Sequence, residues 1–181
     1  RNACKPGDII LTTGIHGLSK LGFLIQNKIN FDNEFSLNER LIIKSIEHFC
    51  RPRVYPNFLN NLLKTRSNKN ITRIGCTDSS DGLFQALQDL AIASNCKAII
   101  NYEKIPKDKD WPKGDKWDEY YFFGGEDYEL VFSLPKKWAE NLSKLDKDIN
   151  EIGFFTDGEP SIEFKDNKKN KLFNNTPFKH F

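Results

Sequence analysis

The sequence predicts an α/β (α+β) domain, with helices covering a mixed sheet in layers. Three observations predict it. Short apolar runs at 8–13, 97–102 and 128–134 have strand length and are bounded by turn-forming residues. Between them, leucines and isoleucines recur at helical spacing, as at 18–29 and 83–91. The two kinds of segment are interspersed along the chain, the pattern of sheet and helix packed on one another.

Taken in order, Ile9, Ile10 and Leu11 make 8–13 a buried strand that Gly14 and Gly17 break. Leu18, Leu21, Leu24, Ile25 and Ile29 place a helix over 18–29. Ser36-Leu37-Asn38-Glu39 has the form of a capping box. It opens a second helix with Leu37, Leu41, Ile42, Ile46 and Phe49 on its apolar face, ended by Pro52. Phe58, Leu59, Leu62 and Leu63 give a third, shorter helix. A strand over 71–77 leads into a helix that opens at Ser80 or Asp81 and runs to Ser94, burying Leu83, Phe84, Leu87, Leu90 and Ala91. After a strand at 97–102, the Pro-, Lys- and Asp-rich stretch 104–116 reads as a surface loop. A strand at 128–134, a helix at 135–145 with Pro135 at its start and a strand at 149–155 follow. Beyond the turn Thr156-Asp157-Gly158, 161–164 and 172–173 are expected to pair as a hairpin.

At 181 residues this is one domain, or one domain with a small annex. The 27 basic and 25 acidic residues leave a net charge of +2, too balanced for a nucleic-acid footprint. The densest basic stretch, 165–171, contains turn residues and reads as a solvated hairpin tip. Cys4, Cys50, Cys76 and Cys96 are scattered, which is neither metal-ligand spacing nor a disulfide scaffold. They read as reduced thiols of a cytoplasmic protein, Cys76 and Cys96 in apolar surroundings. No apolar stretch is long enough to span a membrane, and no signal peptide is present.

The chemistry concentrates in two acidic turns. Thr77-Asp78-Ser79-Ser80-Asp81-Gly82-Leu83 lies where a strand hands over to a helix. Backbone N–H groups there favour anions, and carboxylates beside them favour Mg²⁺, which takes one or two acids plus phosphate oxygens and water. The bland reading is an N-cap, for which Asp and Ser are the common choices. The second turn, Phe122-Phe123-Gly124-Gly125-Glu126-Asp127-Tyr128-Glu129-Leu130, puts two glycines and three acids at the mouth of a strand. Acids there are costly unless something polar or cationic meets them. His16, in Gly14-Ile15-His16-Gly17, reads as a loop residue, and His48 falls near a helix C-terminus. No role is assigned to Cys50-Arg51-Pro52-Arg53-Val54-Tyr55-Pro56.

These two turns, with the glycine-spaced Gly7-Asp8-Ile9-Ile10-Leu11-Thr12-Thr13-Gly14 at the start, resemble the C-terminal half of the thiamine-monophosphate kinase family. That family belongs to the superfamily of aminoimidazole ribonucleotide synthetase and selenophosphate synthetase. The Asp-x-Ser-Asp-Gly turn is shared across the superfamily, whereas Gly-Gly-Glu-Asp-Tyr-Glu-Leu is specific to the thiamine branch. The resemblance implies ATP and thiamine monophosphate as substrates and Mg²⁺ as cofactor. It places Asp78 and Asp81 as Mg²⁺ ligands, Ser80 and Arg1 at the nucleotide, and Glu126 and the aromatic Phe178 at the substrate. It implies no catalytic base, because the acceptor phosphate is already anionic. It also implies a homodimer and an N-terminal domain lying outside this chain. The lack of methionine and the start at Arg1 fit a piece of a longer protein, with the piece alone expected to be inactive. Two alternatives stay open: another ATP-using synthetase of the superfamily, or a non-catalytic folded module.

Overall fold

The computed structural model describes residues 1–28, 37–70 and 72–165. Six strands form one sheet in the order β2-β4-β1-β5-β3-β6. They are β1 (Asp8–Thr13), β2 (Gly75–Asp78), β3 (Lys97–Ile100), β4 (Leu130–Pro135), β5 (Ile149–Thr156) and β6 (Ser161–Phe164). All neighbours pair antiparallel except β3 with β6. The helices are α1 (Leu18–Gln26), α2 (Glu39–Cys50), α3 (Phe58–Thr65), α4 (Leu83–Ser94), α5 (Asp115–Phe123) and α6 (Lys136–Leu145). The layered α/β expectation therefore holds.

The sheet is the middle layer. β1 lies inside it and is buried along its whole length, which explains a run of apolar residues without polar alternation. Successive strand side chains leave on opposite faces. Ile10 and Val131 enter a core with α1, α2, α4 and α5, represented by Leu21, Leu41, Leu87 and Phe122. Ile9, Leu11, Phe132 and Leu134 enter a second core with α3 and α6, represented by Leu62, Trp138 and Leu142. Among the described residues no helix is long and apolar enough to cross a membrane.

Several expectations are corrected. The cap of α2 is Asn38, whose side chain accepts from Arg40 N at 2.8 Å, while Ser36 lies outside the described residues. α4 opens at Leu83 behind Gly82, not at Ser80 or Asp81, because the polar side chains of the preceding turn bond to one another instead. The stretch 104–116 is not simply a surface loop, since Ile105, Asp108 and Trp111 in it are buried. Asp108 is held by Arg40 and Lys44 of α2, at 2.5 and 2.6 Å. α5 was not anticipated: its acids and aromatics conceal the inward side chains Trp117, Tyr121 and Phe122. The expected pairing of 161–164 with 172–173 lies outside the described residues, while β6 itself adds to the sheet beside β3. From β5 the chain turns back and passes over β3, so β6 runs antiparallel to β5 and pairs parallel with β3.

Candidate functional site

The two acidic turns pack against each other, and backbone groups make the join. Glu126 N donates to Ser80 O at 2.8 Å, and Ser79 N donates to Glu129 O at 2.9 Å. Glu129 N donates back to Ser79 Oγ at 3.1 Å. The glycines permit this approach. A methyl group on Gly125 would come 2.3 Å from Ser80 O. Gly82, with φ +94°, takes a conformation that side chains resist and lies beside the carbonyl of Phe122. Asp78, Ser80, Asp81 and Glu126 are thereby brought onto one rim.

Within the first turn, Ser80 donates to Asp78 Oδ1 from its hydroxyl at 2.6 Å and from its backbone N–H at 3.1 Å. The Ser80 hydroxyl, then its N–H, hold the Asp78 carboxyl below its ordinary range, and the Arg1 charge adds to this. Asp78 and Asp81 are exposed. Both bonds fall on Oδ1, so Oδ2 carries neither. Neither aspartate caps α4. Arg1 pairs with Asp89 at 2.5 Å on the side of α4. Phe178 lies outside the described residues.

Within the second turn, Glu126 and Tyr128 both take positive φ, +69° and +54°. For residues with side chains this is strained backbone, which persists only where surroundings enforce it. Two buried acids do the enforcing. Asp127 is fully buried and accepts from Gly17 N at 2.6 Å and Ser19 N at 2.9 Å, the start of α1. Glu129 accepts from Thr13 Oγ1 at 2.5 Å. His48 of α2 stands between them, 3.7 Å from Asp127 Oδ1 and 3.6 Å from Glu129 Oε1, and shares a 3.0 Å hydrogen bond with Ser19 Oγ. The buried strand-mouth acids are thus met by polar groups, save that Glu129 Oε1, 3.6 Å from His48, makes no hydrogen bond.

Burial raises the Asp127 carboxyl to about 6 although the Ser19 and Gly17 N–H groups and His48 oppose it. For Glu129 burial also pushes upward, but polar contacts from His48, Thr13 and Tyr55 outweigh it and its carboxyl sits below the ordinary value. His16 lies in the loop between β1 and α1, as expected, but that loop is tucked inward and His16 is fully buried with Nε2 2.6 Å from Thr12 Oγ1. Burial lowers it to about 4. Asp127, Glu129, Ser19, Thr13 and His48 were not singled out as site residues from sequence, because they hold the loop from behind.

Comparison with known proteins places this arrangement. The profile for AIR synthase related protein, C-terminal domain, matches residues 5–165. The chain belongs to this family. Within it, the chain is 33% identical over 181 residues to thiamine-monophosphate kinase of Prochlorococcus marinus, covering all of this chain and 54% of that protein. The crystal structure of thiamine monophosphate kinase from Aquifex aeolicus superposes with a TM-score of 0.68 at 25% identity, covering 91% of this chain and 52% of that one. The structure of AaThiL complexed with AMPPCP and TMP gives a TM-score of 0.71 at 26% identity, covering 99% and 53%. The chain spans about half the length of the curated relatives it matches.

Proposed function

We propose that this chain supplies the C-terminal part of an ATP-dependent kinase that converts thiamine monophosphate to thiamine diphosphate. The joining of the two acidic turns carries the reading: it sets Asp78, Asp81 and Ser80 beside Glu126 on one rim. Family membership, the names of the relatives and the ATP analogue and TMP held by AaThiL support it.

In this reading the rim has two jobs. Asp78 and Asp81 are ligands for Mg²⁺, and Ser80 both orients Asp78 and approaches the nucleotide. Among the described residues no group of three or more His, Cys, Asp or Glu could hold a metal. The two aspartates fit a Mg²⁺ site that takes its other ligands from phosphate oxygens, water and residues beyond this chain. When bound, Mg²⁺ would neutralise charge on the phosphates. Glu126, held at positive φ, meets the cationic or amino-bearing rings of the substrate, and Phe178 contributes an aromatic face. Arg1 reaches the nucleotide only by leaving Asp89. The acceptor phosphate oxygen is already anionic, so the task is to hold two negative groups in line, and no general base is assigned. Turnover then requires the other half of the protein, and the intact enzyme is a homodimer of the cytoplasm.

The test is Mg²⁺-dependent ADP release from ATP with thiamine monophosphate, by this chain alone and by a protein of the relatives' full length. Release by the longer protein alone, dependent on thiamine monophosphate, supports the reading. Release with a different superfamily substrate instead would move the assignment to another synthetase.

A further inference from the structure

The second turn leaves one aromatic side chain in solvent. Tyr128 is 45% exposed, whereas Phe122 is buried and Phe123 half-buried. Its backbone is held at φ +54°, and that of Glu126 at +69°. Strain of this kind persists only where the surroundings enforce it, and it gathers at functional sites. Burial of the phenol does not account for it here. The chain alternates instead: Asp127 and Glu129 are buried, while Glu126 and Tyr128 turn outward together.

The outward pair makes a bond of its own. Tyr128 Oη donates to Glu126 Oε2 at 2.7 Å. Among the described residues no donor meets the other oxygen, Oε1. The tyrosine has little freedom to leave, because its neighbours on both sides are tied down. Asp127 accepts from the N–H groups of Gly17 and Ser19, and Glu129 is tied to Thr13 and Ser79. Two side-chain torsions remain, so the ring is a rigid donor. It also stays a donor at neutral pH. The hydrogen bond to Glu126, then that carboxylate's charge, push the phenol up, and the charges of Asp78 and Asp81 add to this. A glutamate that rotates freely must lose that freedom when it meets a ligand, and one already held does not.

We propose that Tyr128 is a positioning residue for Glu126, its hydroxyl holding Oε2 so that Oε1 is presented to the substrate in one fixed direction. This rests on the reading of Glu126 as a substrate contact and adds the group that orients that contact. The device repeats the first turn, where the Ser80 hydroxyl takes one oxygen of Asp78.

The test is steady-state ADP release by a protein of the relatives' full length, wild type against Tyr128→Phe, which keeps the ring and removes the hydroxyl. KM for thiamine monophosphate should rise about tenfold, the order of a hydrogen bond to a charged group, while kcat and the KM for ATP stay within about twofold. The urea midpoint should not move, since the lost atom belongs to an exposed ring. With Glu126→Ala the acceptor is gone, so adding Tyr128→Phe should change kcat/KM by less than about twofold. An unchanged KM for thiamine monophosphate overturns the proposal. So does an undiminished effect beside Glu126→Ala, or a lowered urea midpoint with both KM values raised. Each of these leaves the kinase reading standing, whereas no release by the wild type overturns both.

Discussion

Asp127 and His16 titrate in opposite senses inside one buried cluster, so replacing either should expose the pH dependence of the other. Asp127 rises from its ordinary 3.8 to about 6 on folding. The folded state therefore binds its proton more tightly, and this group's contribution to stability falls as pH rises through that window. His16 falls from its ordinary 6.5 to about 4. Its contribution is present above 6.5 and is lost as pH falls through the window. At about 1.36 kcal/mol per tenfold change in proton affinity, each contribution amounts to about 3 kcal/mol. The two nearly cancel in the wild type. Asp127→Asn keeps one acceptor but presents an amide N–H to the other donor, a constant cost of about 1–3 kcal/mol. Relative to wild type the variant should be penalised at about pH 4.5 and gain progressively towards about pH 7.5. His16→Gln should show the opposite slope. Urea denaturation of the three proteins across this range measures it, and the comparison with wild type subtracts other groups, including Asp78, Asp108 and Glu129. His48 and Glu129 face both residues and are present in all three. Stability curves that stay parallel across the range would mean that neither group changes its proton affinity on folding.

Three further outcomes are expected. Gly125→Ala drives a methyl to 2.3 Å from Ser80 O, and should destabilise the chain by about 1–3 kcal/mol and loosen the amide of Glu126 in hydrogen exchange; unchanged protection there would count against the joined turns. Ser80→Ala removes the 2.6 Å hydroxyl bond to Asp78, so the Asp78 carboxyl should titrate higher when followed by NMR, and an unmoved titration would show the bond to be unimportant. Leu142→Ala, fully buried between α6 and the sheet, should cost about 2–5 kcal/mol in the same urea assay.

Much of this fold was legible because its strands and most helices carry their period openly. The run Ile9-Ile10-Leu11 shows a strand buried on both faces, and Leu83, Leu87 and Leu90 show an inward helix stripe. α5 was hidden because Asp115, Asp118 and Glu119 interrupt its aromatics, and burial of Asp118 beside Tyr102 and Lys107 is a tertiary fact. The parallel pairing of β6 was hidden because nothing in 161–164 names its partner: β3, more than sixty residues upstream, already lies beside β5 and presents the free edge. The acidic turns declared themselves through residue type. Their hydrogen-bonded union depends on Gly125 and Ser80, far apart in sequence, and the anchoring of Asp127 by α1 depends on backbone N–H groups that carry no signature in the sequence.

The central claim is that Asp78 belongs to a phosphoryl-transfer site and is more than a turn residue. The most direct measurement is kcat for ADP release with thiamine monophosphate at saturating Mg²⁺, comparing Asp78→Asn with wild type in a protein of the relatives' full length. Turnover should be abolished while the variant remains folded. A near-normal kcat would contradict it and leave Asp78 as no more than the acceptor that shapes its turn.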